Sequence, residues 1–98
     1  MLIRIVKLNF EIGNVTKFER IFKETKQYIL NFEGCNSLEL LQDKTNANIF
    51  FTYSEWESEE YLNKYRDSDF FKNVWGKTKI LFSAKPEAWS VFKKDFAD

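Results

Sequence analysis

Three aromatic residues with a polar edge, Trp56, Tyr65 and Trp75, occur within a single stretch of the chain. Each carries a large flat apolar body and one N–H or O–H group, a combination that orients a planar ligand while excluding water. The same side chains could instead fill a hydrophobic core, and for Trp56 the sequence leaves both alternatives open. For Trp75 packing is favoured, because this residue continues an apolar helix stripe with Phe71.

Charged and titratable residues narrow the chemistry that these aromatics could support. The chain contains no histidine, so the commonest general base and the commonest metal ligand are both missing. A lone Cys35 can form neither an internal disulfide nor a thiolate metal cluster, and we expect no metal site. Arg4 shares strand parity with apolar neighbours. It could therefore bind an anionic ligand, or it could pair with a strand carboxylate such as Glu39.

Composition and charge limit the class of protein. With 98 residues the chain is expected to form a single domain over 1–98. Its 15 Lys plus Arg residues equal its 15 Asp plus Glu residues, so a nucleic-acid partner is not expected. No signal peptide or membrane-length apolar run is recognisable, which predicts no membrane partner. Together with the single cysteine, these features predict a cytoplasmic protein.

Hydrophobic periodicity predicts an α+β protein in the order strand, helix, strand, strand, helix, strand. The predicted strands cover residues 2–10, 35–42, 49–56 and 88–96, and the predicted helices cover residues 15–32, 58–66 and 70–81. The last two helices form one helical region, which the sequence Asp67 to Asp69 interrupts and recaps. This order is typical of the ferredoxin-like βαββαβ fold, an antiparallel sheet with helices on one face.

Aromatic residues occupy both faces of the third predicted strand. Thr52 and Trp56 share one face, while Phe51 and Tyr53 share the other. If the helices cover the first face, then the second face also needs a cover. The same face of a second copy would supply it. The sequence thus predicts a homodimer through the open sheet face, with two sheets forming an eight-stranded α/β barrel.

Several of these segments resemble one known family, the antibiotic biosynthesis monooxygenases, which are small dimeric α+β barrel proteins. The similarity is carried by SEW at Ser54 to Trp56, the acidic helix start ESEE, the segment SDFFKNVW, the first strand and the NFEGC turn at Asn31 to Cys35. It extends over nearly the whole chain. The resemblance implies the ferredoxin-like dimeric fold, while the activities within the family are diverse.

In some members, the resemblance implies, a bound phenol or hydroquinone anion reduces dioxygen directly, without metal or flavin, so that no cofactor is expected. The pocket tryptophan of these members corresponds to Trp56, and an asparagine four residues earlier corresponds to Thr52. Haem-degrading relatives need an asparagine and a histidine where this chain has Val6 and Trp75. Haem breakdown is therefore disfavoured.

The sequence predicts an oxidoreductase that binds a small aromatic or quinol-like compound between sheet and helices and oxygenates it without cofactor. The predicted pocket residues are Trp56, Thr52, Tyr65, Phe71, Trp75 and Arg4. The alternative is a non-catalytic dimeric ligand-binding or scaffold domain on the same fold. Both the absence of histidine and the threonine in place of the asparagine favour that alternative.

Overall fold

The structure is a computed structural model that describes residues 1–94. It contains four strands and three α-helices, together with a short 3₁₀ segment at Ile12–Asn14. The strands are β1 (Leu2–Asn9), β2 (Cys35–Gln42), β3 (Ile49–Trp56) and β4 (Glu87–Val91). The helices are α1 (Val15–Leu30), α2 (Glu59–Asp67) and α3 (Asp69–Lys79).

All strand pairs are antiparallel, and the strands lie in the order β2-β3-β1-β4. This arrangement confirms the predicted ferredoxin-like α+β fold, and the sheet is open. Even-numbered residues of β1 and β3 point toward the helices, where Leu8 and Phe50 pack against Phe18 of α1. In the central pair, Arg4 lies opposite Ser54 and residue 6 lies opposite Thr52.

The final strand differs from its prediction over residues 88–96. Among the described strands it pairs with β1 alone, and the pairing ends where Ile3 meets Val91, one residue from the start of β1 at Leu2. Lys93 and Lys94 therefore lie beyond the strand, although the predicted edge position of β4 is confirmed. Residues 95 and 96 of the predicted strand lie outside the described residues.

The predicted break between α2 and α3 is present at Ser68. Its hydroxyl accepts a hydrogen bond from the backbone N–H of Phe71 at 3.1 Å and donates one to the carbonyl oxygen of Tyr65 at 2.6 Å. One side chain thus ends the first helix and starts the second. The second helix ends at Lys79, two residues before the predicted end, and Leu81 lies in the following turn.

Two clusters of buried side chains form the core. The larger consists of Leu8, Phe10, Phe18, Phe50 and Leu81. Within it the rings of Phe10 and Phe18 are stacked with their centroids 4.2 Å apart. The smaller consists of Leu2, Trp56 and Leu62. Members of both clusters border a space that side chains leave unfilled, and this space is the cavity described below.

The opposite face of the sheet exposes apolar side chains. Leu41 is 46% exposed, Trp89 is 44% exposed and Val91 is 38% exposed. Phe51 and Tyr53 of β3 lie on the same odd-numbered face and are half-buried. Ile5 of β1 lies between Tyr53 and Trp89 on this face, so all four strands contribute large apolar groups to a surface that none of the described helices covers.

Candidate functional site

A cavity of about 320 Å³ lies between the even-numbered face of the sheet and the helices. Its volume is at the lower end of the roughly 300 to 1,000 Å³ typical of small-molecule sites. Apolar and aromatic groups form most of its wall. Pro86 and the exposed Ala88 also line it, so the cavity reaches solvent beside the β4 edge of the sheet.

All six residues singled out from the sequence lie on the wall of this one cavity. They are Arg4, Thr52, Trp56, Tyr65, Phe71 and Trp75. Alternation along β1 and β3 places the first three on the floor. The two helices that follow β3 supply the others. The structure thus brings together side chains that are up to 71 positions apart in the chain.

Four aromatic rings follow one another along the helical side. The centroids of Trp56 and Tyr65 are 5.1 Å apart at an interplanar angle of 26°, and Tyr65 meets Phe71 edge-on at 5.1 Å. Phe71 stacks on Trp75 at 5.9 Å with an angle of 10°. Such a series offers flat surfaces to a planar ligand. Because each ring is held by the next, it also fixes the shape of the cavity.

Trp56 is both a core residue and a cavity-wall residue. Its two predicted roles, lining a ligand pocket and filling the core, are therefore compatible. Only 1% of its surface is exposed, and it packs against Leu2 and Leu62. Its Nε1–H donates to the Ser54 hydroxyl at 3.0 Å. The polar edge is therefore satisfied inside the protein, and Trp56 presents ring surface to the cavity. Trp75 likewise packs against the larger cluster while lining the cavity.

Tyr65 is a hydrogen-bond donor rather than a base at neutral pH. Burial raises the pKa of its phenol, and the neighbouring Cys35 raises it further. Within residues 1–94 its hydroxyl has no hydrogen-bond partner. The protonated phenol thus supplies an apolar ring with one hydrogen-bond donor.

Two guanidinium groups reach the cavity, one of which the sequence reasoning missed. Arg4 Nη1 donates to the Ser90 hydroxyl at 3.0 Å. Burial lowers the pKa of Arg4, and the positive charge of Arg66 lowers it further. Arg66 lies on the cavity wall one turn after Leu62 and next to Tyr65. The spacing of these three residues, i, i+3 and i+4 on α2, could have identified Arg66 as inward-facing.

The remaining polar residues of the wall differ in their freedom to bind a ligand. The Thr25 hydroxyl donates to the Ile21 carbonyl oxygen at 2.7 Å, and the Thr78 hydroxyl donates to that of Val74 at 2.8 Å. Both bonds lie within a helix. Thr52 differs, because its hydroxyl has no hydrogen bond to any other residue in the range 1–94. This hydroxyl on the floor can therefore bind a ligand.

Glu87 is the one acidic residue on the described part of the wall, and its carboxylate points elsewhere. It lies directly opposite Lys7 in the β1–β4 pair, and its Oε2 is 3.9 Å from Lys7 Nζ. Paired residues in a sheet share a face, and Lys7 is on the odd-numbered face. The cavity therefore receives positive charge from its arginines without a carboxylate from residues 1–94.

No group of three His, Cys, Asp or Glu side chains in residues 1–94 is arranged to hold a metal ion. None of the helices there is both long enough and apolar enough to cross a membrane.

Fold and site together define a ferredoxin-like α+β protein with an aromatic-walled cavity between sheet and helices. The chain belongs to the antibiotic biosynthesis monooxygenase family, whose sequence pattern matches residues 1–75. The matched part includes β1 to β3, and it ends on Trp75 of the cavity wall. No protein with a curated function matches the chain.

Solved structures support the same fold. A conserved protein from Methanosarcina mazei Go1 is 26% identical, with a TM-score of 0.89 over 96% of this chain and 94% of that one. An antibiotic biosynthesis monooxygenase is 13% identical, with a TM-score of 0.90 over 97% and 100% of the two chains. A protein from Mycobacterium tuberculosis is also 13% identical, with a TM-score of 0.87 over 99% and 98%. The last two likenesses concern the fold alone.

Proposed function

We propose that this protein is a cytoplasmic, single-domain homodimer that oxygenates a small planar phenol or hydroquinone without a cofactor. The observation that carries this proposal is the cavity of about 320 Å³, which combines a series of aromatic rings with a few polar donors. Membership of the antibiotic biosynthesis monooxygenase family supports the reaction class. The flat rings suit a flat substrate.

The reaction needs no external reductant, because the substrate itself supplies the electrons. Dioxygen adds to an electron-rich ring carbon of the phenolate, and a new C–O bond forms as a peroxide. Cleavage of the O–O bond then leaves one oxygen on the ring as a carbonyl. The second oxygen leaves as water with the ring hydrogen and the phenol proton. One phenol and one dioxygen thus give one quinone and one water.

The wall residues have separable roles in this scheme. Trp56 and Phe71 would hold the substrate ring and exclude water, while the arginine charge favours the phenolate over the phenol. Thr52 would donate a hydrogen bond to the phenolate oxygen, since its hydroxyl makes no hydrogen bond to another residue in the range 1–94. Electrostatic stabilisation of this kind acts strongly in a site shielded from water.

A specific observation favours the second candidate, a non-catalytic binding protein. Within the described residues no carboxylate faces the cavity, since Glu87 is turned toward Lys7, and the chain has no histidine. A substrate that needs a protein base to lose its proton would therefore bind without reacting. Only substrates whose phenol is already acidic could react in the cavity.

Dimer formation through the odd-numbered sheet face belongs to the same proposal. The exposed apolar side chains on this face, among them Leu41, Trp89 and Val91, form the kind of surface that a partner normally covers. The same face of a second copy fits, because its aromatics and β-branched groups would meet their equivalents across a two-fold axis. The two open sheets would then close as a barrel.

Oxygen uptake measured with a panel of naphthols and naphthohydroquinones tests the reaction. We expect the native protein to consume one dioxygen per phenol oxidised, and Thr52→Val to lower the rate by about tenfold while the fold is kept. Thr16→Val, an exposed threonine on α1, is the matched control and should behave as the native protein. Binding of the panel by calorimetry without oxygen uptake would instead establish the binding protein.

A further inference from the structure

The two arginines of the cavity wall come from different elements. Arg4 lies on β1, while Arg66 lies in the last turn of α2. Neither forms an ion pair with a carboxylate in the range 1–94. Both line the cavity, Arg4 half-buried and Arg66 exposed. Their positive charges are therefore not neutralised by a carboxylate from that range.

Most of the donor capacity of these groups is free. A guanidinium carries five N–H donors, and among residues 1–94 Arg4 uses its side chain for one bond, to the Ser90 hydroxyl at 3.0 Å. Glu87, the one acidic residue on the described part of the wall, has its carboxylate 3.9 Å from Lys7 Nζ on the other face of the sheet. An acceptor for the arginine donors must therefore come from outside residues 1–94.

We propose that the ligand of this cavity is an aromatic carboxylic acid, with its carboxylate bound between Arg4 and Arg66 and its ring against the aromatic wall. The planar carboxylate suits the fork of a guanidinium, which binds it in a bidentate manner. Conjugation also keeps such a group coplanar with its ring, so the whole ligand fits a flat slot. The inference rests on the proposed occupation of the cavity by a planar ligand, but it does not require oxygenation.

A purely structural role for these arginines makes a different prediction. In the last turn of its helix, Arg66 also interacts favourably with the helix dipole. The aliphatic part of Arg4 also covers apolar surface beside its strand. These roles would affect stability, but they would not make binding depend on the charge of a ligand. The preference between a charged and a neutral ligand with the same ring is therefore the deciding measurement.

Isothermal titration calorimetry with three probes provides this measurement on the full chain. The probes are 1-hydroxy-2-naphthoate, its methyl ester and 1-naphthol, which share one ring system and differ in charge. We expect the acid to bind about 10- to 100-fold more tightly than the ester, and this preference to shrink with added salt. Equal binding of acid and ester would overturn the inference while leaving the occupied cavity intact.

Substitution of Arg66 tests whether this arginine causes the preference for the acid over the ester. Arg66→Gln is expected to reduce the preference for the acid over the ester by about tenfold, and Arg66→Glu to reverse this preference. Because this residue is exposed, neither change should affect folding. Arg20→Gln, at the exposed third arginine on α1, is the matched control. An acid preference that survives both Arg66 variants would overturn the inference.

Oxygen uptake separates this inference from the proposed function. An acid preference without oxygen consumption would retain the inference and reject the monooxygenase. Oxygen consumption with the ester and 1-naphthol but not with the acid would retain the monooxygenase and reject the inference. If none of the three probes binds, then both proposals are wrong, because both need a planar ligand in this cavity.

Discussion

The indole ring of Trp56 and the phenol ring of Tyr65 are stacked with their centroids 5.1 Å apart. Trp56 is the last residue of β3, and Tyr65 lies in α2, so this contact fixes the helix to the end of the strand. The same two rings form part of the cavity wall. Stability and ligand binding therefore depend on shared atoms, and truncation of either ring would change both.

A buried hydrogen bond orients the indole of Trp56. We expect Ser54→Ala to lower the free energy of unfolding by about 1 to 3 kcal/mol, because the indole N–H loses its acceptor in the core. In Trp56→Phe the bond is absent, and adding Ser54→Ala should then have a smaller effect. Urea unfolding of the four proteins of this double-mutant cycle measures the coupling. Strictly additive effects would show that the bond contributes no stability.

The phenol of Tyr65 should make stability depend on alkaline pH. Burial, and then Cys35, raise its pKa, so the folded protein holds the phenol proton more tightly than the unfolded chain does. This contribution is fully present below the unfolded value of about 10 and is lost as the pH rises above it.

Urea unfolding between about pH 9 and pH 11 tests this dependence. We expect the native protein to lose more stability over this range than Tyr65→Phe, which has no proton to lose. Tyr28→Phe is the matched control, since that ring is 63% exposed. Equal losses in the native protein and Tyr65→Phe would contradict the prediction.

Two serines precede helices, but only one of them caps its helix with its side chain. Ser68 accepts from the Phe71 N–H at 3.1 Å, whereas the Ser58 side chain makes no capping hydrogen bond with α2. Ser68→Ala should therefore lower the free energy of unfolding by about 0.5 to 2 kcal/mol. A smaller loss is expected for Ser58→Ala, measured in the same thermal unfolding series. The reverse order would mean that the Ser68 bond is not what starts α3.

Gly34 and Gly76 should respond in opposite directions to alanine. Gly34 has a φ of 84°, and an added Cβ would overlap the side chain of Tyr61. Gly34→Ala is thus expected to destabilise by more than about 1 kcal/mol. Gly76 lies inside α3 with open space around it, so alanine there should stabilise by about 0.5 to 1 kcal/mol. Chemical unfolding of both variants measures the difference.

The proposed dimer can be tested through its apolar face. Light scattering at micromolar concentration should give twice the mass of one chain for the native protein. A Leu41→Lys and Trp89→Lys double variant should give the mass of one chain, because both side chains are exposed on the open face. Ile80→Lys, exposed at 75% just after α3, is the control and should remain dimeric. A native protein with the mass of one chain would contradict the dimer.

Local sequence patterns predicted most of the elements. The alternation from Ile49 to Trp56 and the polar loop before it predicted β2 and β3 with their observed bounds. These patterns predicted the last strand, near the C-terminal end of the chain, less accurately. Residues 92–94 continue the apolar and basic pattern of β4, yet the strand ends at Val91. Strand length depends on the neighbouring strand, which a local pattern does not contain.

The candidate site was only partly predictable for the same reason. Trp56 stood out by its type and its position at a strand end, and it lies on the cavity wall. Arg66 did not stand out, because a basic residue near a helix end is usually solvated. Only the packing of α2 against β3 brings this guanidinium to the cavity wall.

The sequence by itself determined the element order, the family and the residue types that could surround a ligand, since these depend on local periodicity and on motif spacing. The tertiary structure decided three things. Packing leaves a space between the two core clusters instead of filling it. Cross-strand pairing turns Glu87 away from that space, and the packing of β1 and α2 around one cavity brings Arg4 and Arg66 to the same wall. Each depends on contacts between residues distant in the chain, which periodicity does not encode.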